Sequence, residues 1–303
     1  MVGYALLKKL KKKSDHRIIT RSKNSLDLTI QKDVDLFFQE EKPDYVYMAA
    51  AKVGGINANI KYKAEFIYQN LMIQNNIINS AYKIGVEKLL FLGSACIYPK
   101  NSKQPIKEEY LLSGVLEPTN EPYAIAKISG IKMCQSYYDQ YGVNFVSIMP
   151  NNLYGPNDNF DLETSHVLPA LIRKIHDAKV NNEQSVEIWG TGLPLREFLH
   201  VDDLADACIY VMENIDAEDI YGAGISHLNV GSGEEISIIN LAKLIKEVVG
   251  YSGVIKLNSN YPDGMKRKLL NASRFSKMGW NSRITLHDGI HSVYKWYLNN
   301  LKI

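Results

Sequence analysis

Short apolar runs alternate with longer stretches of helical spacing through the first half of the chain. Arg17 to Thr20 reads as a short strand, and Tyr45 to Ala51 as a buried strand entered through the Pro43-Asp44 turn. Lys88 to Leu92 is a third apolar run, closed by Gly93-Ser94, and Asn144 to Met149 is a fourth. Between them, Ala64 to Tyr82 and Tyr123 to Tyr141 carry apolar residues at the three-and-four spacing of a helix, as does Tyr4 to Leu10. Strand, helix, strand in repetition predicts an α/β fold, a parallel sheet with helices on both faces.

After Pro150 the alternation loosens. Helices are expected near Ser165 to Lys179, Asp202 to Asn214, Ser237 to Val249 and Thr285 to Leu298. Short strands lie between them, at Val186 to Trp189 and His227 to Val230. This predicts a first domain over 1–153 and a smaller α/β domain over 154–303, with a segment near 196–215 returning to the first sheet.

Composition narrows the partners. The chain has 303 residues, 46% hydrophobic and 22% charged, and 35 basic against 33 acidic groups leave a net charge of +2. That balance argues against nucleic acid as the main partner. Cys96, Cys134 and Cys208 are too few for a disulfide framework, which fits a reducing cytoplasm. No apolar run approaches the roughly 20 residues of a membrane span. The first apolar stretch precedes its lysines, the reverse of a signal peptide. Lys8, Lys9, Lys11, Lys12 and Lys13 read as the cationic end of a short helix.

Candidate chemistry begins at Tyr123-Ala124-Ile125-Ala126-Lys127, where Tyr123 and Lys127 share a helix face. An ammonium beside a phenol favours phenolate and fits the phenol for proton exchange with a carbonyl or alcohol. Taken alone, the spacing reads first as that of an amphipathic face. Ser94 adds to it: it follows a strand and a glycine, where ligands of open α/β sheets bind, though a turn serine has the same setting.

These pieces, with Asn152-Leu153-Tyr154-Gly155-Pro156 and Arg196-Glu197-Phe198-Leu199-His200-Val201-Asp202-Asp203, resemble the extended short-chain dehydrogenase/reductase family. Ala49 to Ile56, Gly93 to Pro99 and Glu117 to Pro122 are similar to the GDP-L-fucose synthase branch of that family, over nearly the whole chain. The resemblance implies a Rossmann-type doubly wound sheet over 1–153 that binds NADP(H), a GDP-sugar domain over 154–303, and a homodimer formed through the two long helices. It implies epimerisation at the carbons flanking a ketone, followed by reduction of that ketone. A different nucleotide-sugar epimerase or reductase is the alternative, and a cofactor-deficient sugar-nucleotide-binding paralogue is a second. Ser94-Ala95-Cys96 lacks the acidic residue of the dehydratases.

By the same resemblance the catalytic set is Ser94, Cys96, Tyr123, Lys127 and His166. Cys96 and His166 would exchange protons with the epimerised carbons, Tyr123 would protonate the ketone oxygen, and Ser94 would polarise it. Without the resemblance, Cys96 reads as core and His166 as a helix-start residue. The cofactor set is Gly3, Arg21, Lys23, Asp27, Leu28, Leu92, Gly93, Ser94, Ala95, Lys127, Pro150, Asn151, Asn152, Leu153 and His166. Arg21 and Lys23 follow the expected second strand, where a cation selects NADP over NAD, although they serve as well as plain loop charges. The substrate set is Lys174, Trp189, Arg196 and Asp263. Trp189 in a packing role and Asp263 in a Pro-Asp-Gly turn are the plain alternatives. No residues have metal-ligand spacing.

The beginning departs from the family. Met1-Val2-Gly3 leads directly into a helix, so only the last glycine of the phosphate-binding turn is present, and the first strand is not. A misassigned start or a truncation is the expected cause, and weak NADPH binding in a calorimetric titration the expected consequence.

Overall fold

The computed structural model describes residues 1–13, 16–261, 263 and 265–300. A four-stranded parallel sheet runs in the order Tyr45–Met48, Lys88–Leu92, Asn144–Pro150, Leu228–Val230. Its central strands are apolar almost without interruption because both faces are covered. Leu90, Leu92, Val146 and Ile148 join one core with Ala5, Leu6, Leu204 and Cys208. Leu89, Phe91, Phe145 and Met149 join another with Ile78, Ile131 and Cys134. The period-2 alternation of a strand thus feeds two cores rather than a core and a wet face.

Helix Val2–Leu10 and helix Val201–Asn214 cover the first face, and Lys63–Ile84 with Glu121–Tyr141 cover the second. The two long helices end on Gly85 and Gly142, both left-handed. Lys8, Lys9 and Lys13 pair with Asp202, Asp206 and Glu213 of helix Val201–Asn214, so the basic end of the first helix is a seam between helices.

The rest of the chain forms two small sheets and a third core. Leu195–His200 has three neighbours: Arg267–Lys268 and Asn152–Tyr154 pair with it in parallel, and Glu235–Ser237 antiparallel. Ser185–Trp189 pairs with Val254–Asn258. Leu168, Leu171, Ile175, Ile188, Leu241, Ile245 and Val293 fill the core between these strands and their helices. Besides helix Val201–Asn214, the strand Leu228–Val230 and the pair Phe275 and Trp280 pack with the main sheet.

Two expected strands differ. Arg17 to Thr20 is not a strand; among the described residues no strand pairs with it, and isolated β geometry has no ladder hydrogen bonds to hold it. The strand expected over Tyr45 to Ala51 ends at Met48. Ala49 already turns, its N–H bonding Tyr47 O at 3.0 Å, and the chain leaves toward Gly54-Gly55. Among the described residues no helix is long and apolar enough to cross a membrane.

Candidate active site

The carboxyl ends of Lys88–Leu92 and Asn144–Pro150 lie side by side, at the edge where open α/β sheets bind their ligands. Gly93 makes the exit possible. Its N–H donates to Ile148 O at 2.9 Å, and a Cβ there would collide with the Met149 thioether. Ser94 follows in extended conformation and leads a single 3-10 turn, Ala95–Ile97, which buries Ala95 and Cys96.

Helix Glu121–Tyr141 brings Tyr123 and Lys127 to the same place. Lys127 is 4% exposed, and its Nζ donates to Leu92 O at 2.7 Å, above the Phe91 ring. Burial lowers its pKa to about 8, against the opposing influence of the Cys96 thiol. The Tyr123 phenol is pushed up, first by burial and then by Cys96, while the Ser94 hydroxyl pulls it down. The expected lowering by Lys127 does not occur: the ammonium is turned to the Leu92 carbonyl, 6.0 Å from the Tyr123 ring centroid. The phenol therefore remains protonated and suited to donate.

Burial also raises the Cys96 thiol, opposed by Lys268, Ser94 and Lys127 in that order. Lys268 does not stand out in the sequence. It sits in a run of basic residues that reads as a solvated loop, and only its parallel pairing sets it beside Arg196. Burial and then Arg196 lower its pKa, against the opposing Cys96. It also lowers His166, after burial. His166 occupies the N-cap position of helix Val167–Val180. The segment just before it is held by Gly55, whose N–H donates to Thr164 O at 3.0 Å, and a Cβ on Gly55 would come within 2.9 Å of Ser165 O. Ser94, Cys96, Tyr123 and Lys127 thus lie close enough to influence one another, and Lys268 links Cys96 to His166 and Arg196.

A second unforeseen residue is Glu197, which is fully buried. Its carboxylate accepts from the Asn151 amide, from Gly233 N at 2.7 Å and from Leu270 N at 3.1 Å. Asn152 Nδ2 donates to Glu197 O at 2.8 Å. One carboxylate therefore ties the end of the central strand, next to Pro150 and Leu153, to the segment that carries Lys268.

The remaining candidates have the following surroundings. Gly3 lies in the first turn of helix Val2–Leu10. Arg21 is paired with Glu41 and lies over the Phe37 ring. Asp27 accepts from Thr29 N at 2.9 Å and Thr29 Oγ1 at 2.7 Å, with Lys23 a minor influence on its charge. Leu28 packs on the second core, and its carbonyl accepts from Asn76 at 2.9 Å. Farther out, Lys174 Nζ stands 4.8 Å from the Trp189 ring centroid. Arg196 Nη1 donates to Met265 O at 2.6 Å. Asp263 accepts from Thr191 N at 2.9 Å and Thr191 Oγ1 at 2.6 Å, which closes the turn after Trp189.

Residues 1–231 match the model of the NAD dependent epimerase/dehydratase family. GDP-L-fucose synthase 1 of Arabidopsis thaliana is 54% identical over 301 residues, 99% of this chain and 91% of that protein. GDP-L-fucose synthase of Escherichia coli K12 is 51% identical over 304 residues, 99% of this chain and 94% of that protein. A solved GDP-L-fucose synthetase of Naegleria fowleri bound to NADP superposes with a TM-score of 0.90 at 29% identity, covering 99% of this chain and 90% of the other. With a parallel sheet, a strand-end serine and a Tyr-Lys helix at its carboxyl edge, and a family match over most of its length, the chain belongs to the NAD dependent epimerase/dehydratase family.

Proposed function

We propose that the chain converts GDP-4-keto-6-deoxy-D-mannose to GDP-L-fucose, by epimerisation at C3 and C5 followed by NADPH-dependent reduction of the C4 ketone. The observation that carries this reading is the Cys96 thiol beside the Ser94, Tyr123 and Lys127 group, under the influence of Lys268. A reductase alone needs the phenol and the ammonium; a thiol beside them supplies a proton-transfer group. The name shared by relatives above 50% identity supports the substrate.

C–H bonds flanking a ketone are acidic because the carbanion delocalises into the carbonyl as an enolate. In the proposed sequence Cys96 and His166 remove and return protons on opposite faces of the ring, with Lys268 nearby to stabilise thiolate. Ser94 donates to the ketone oxygen as it gains charge, and Tyr123 protonates that oxygen during reduction. NADPH, when bound, supplies the hydride. The fit of this chain to the cofactor is supported by Lys127: a buried ammonium with three donors and, among the described residues, one protein acceptor, Leu92 O, has donors left for a ribose. Gly3, Arg21, Lys23, Asp27, Leu28, Leu92 to Ala95, Pro150 to Leu153 and His166 are the other proposed cofactor contacts, and Lys174, Trp189, Arg196 and Asp263 the proposed GDP contacts.

The proposal extends to a homodimer in the cytoplasm. Helices Lys63–Ile84 and Glu121–Tyr141 lie side by side with Tyr68, Ile125 and Tyr141 exposed, which supports a helix-pair contact with a second copy. Three free cysteines support a reducing compartment. Light scattering of the purified chain tests the dimer. The activity test supplies GDP-4-keto-6-deoxy-D-mannose and NADPH and identifies the sugar by NMR. A sugar reduced without inversion at C3 and C5 would refute the epimerase half, and no NADPH oxidation at saturating NADPH would refute the reductase half.

A further inference from the structure

We propose that Tyr261 and Trp189 form a two-walled slot for the purine base of the nucleotide sugar, with Tyr261 as the movable wall. The proposal rests on the GDP-sugar reading above. The two rings stack 4.3 Å apart at an interplanar angle of 10°. Both are exposed, Trp189 by 48% and Tyr261 by 42%, so the stack faces solvent and is not part of the core.

The stack stands at the exposed end of a series of neighbouring residues. Cys96 and Lys268 stand at the reacting end. Lys268 is the register partner of Arg196 on adjacent parallel strands. Arg196 donates to Met265 O, just after Asp263, and Asp263 grips Thr191, two residues beyond Trp189. The Lys174 ammonium stands over the Trp189 ring. From the reacting centre outward, the order is thiol, cations, aromatic pair. A nucleotide sugar has the same order: keto sugar, diphosphate, base. Cations suit the diphosphate, and a planar base suits an aromatic stack.

The two walls differ in stiffness. Trp189 ends a strand in register with Val254–Asn258, and the following Gly190 N–H bonds Asn258 O at 2.8 Å. Tyr261 lies beyond that strand, in irregular chain. A base entering between the rings needs them about 7 Å apart, two carbon contact distances. Displacing Tyr261 disturbs no strand pairing, whereas displacing Trp189 would.

The test compares the full chain with Tyr261→Ala and Tyr261→Phe by calorimetric titration with GDP alone, which needs neither turnover nor NADPH. Tyr261→Ala is expected to bind GDP about tenfold more weakly or worse, and Tyr261→Phe to match the parent, because the slot needs the ring and not the hydroxyl. The KM for the keto sugar should rise in parallel. Unchanged or tighter GDP binding by a folded Tyr261→Ala, checked by circular dichroism, overturns the slot. A parent that binds GDP but does not transform the keto sugar overturns the proposed reaction and leaves the slot standing; a parent that does not bind GDP overturns both.

Discussion

Replacing Lys127 by Met should maintain or raise the stability of the fold while removing activity. The ammonium is nearly fully buried, and its pKa falls from 10.5 to about 8. At about 1.36 kcal/mol per pH unit, holding this charge in the folded state costs about 3 kcal/mol at neutral pH. Met fills similar space without the charge, but it leaves the Leu92 carbonyl without its partner, which costs about 1–3 kcal/mol. The balance is a variant between equal stability and about 2 kcal/mol more stable at pH 7. A lysine with a depressed folded pKa binds more protons unfolded than folded between about pH 8 and 10.5. Its contribution to the parent's stability therefore rises with pH through that window, and this rise should be absent in Lys127→Met. Urea unfolding of both proteins at pH 7 and pH 10.5 measures it. A variant less stable than the parent at pH 7, or a gap of equal size at both pH values, would show that the buried charge is not the source of the cost.

Three further outcomes are expected. Cys96→Ser should slow solvent-deuterium exchange at the carbons flanking the ketone by about a hundredfold or more, followed by NMR in D2O, while a pre-epimerised ketone is still reduced. Gly55→Ala places a Cβ against the Thr164 and Ser165 carbonyls and so shifts the lead into His166; epimerisation should fall about tenfold or more, since small misplacements of catalytic groups are costly, with reduction of the pre-epimerised ketone less affected. Glu197→Ala leaves the Asn151, Gly233 and Leu270 donors without their acceptor; the loss of stability should reach about 3 kcal/mol or more, read from urea unfolding.

The framework of the fold was legible from local signals. Apolar runs such as Lys88 to Leu92 and helical periods such as Tyr123 to Tyr141 each formed the element they encoded, because both faces of the strand, and the apolar stripe of the helix, found cover. Ser94, Tyr123 and Lys127 were legible as candidates for the same reason, being fixed at a strand end and on a helix face by short-range geometry, whereas Cys96 reads as core by itself and became a candidate only through the family resemblance. Features that depend on a neighbour were not. Arg17 to Thr20 has strand-like residues and no strand beside it among the described residues. Lys268 looks like any residue of a basic loop until parallel pairing sets it beside Arg196. Glu197 gains its role only because Asn151, Gly233 and Leu270, far apart in the chain, converge on one carboxylate, and the Trp189–Tyr261 stack joins a strand end to a bend that no local pattern relates. Local propensity is written in adjacent residues; pairing partners, buried charges and their pKa values are set by what the fold brings alongside.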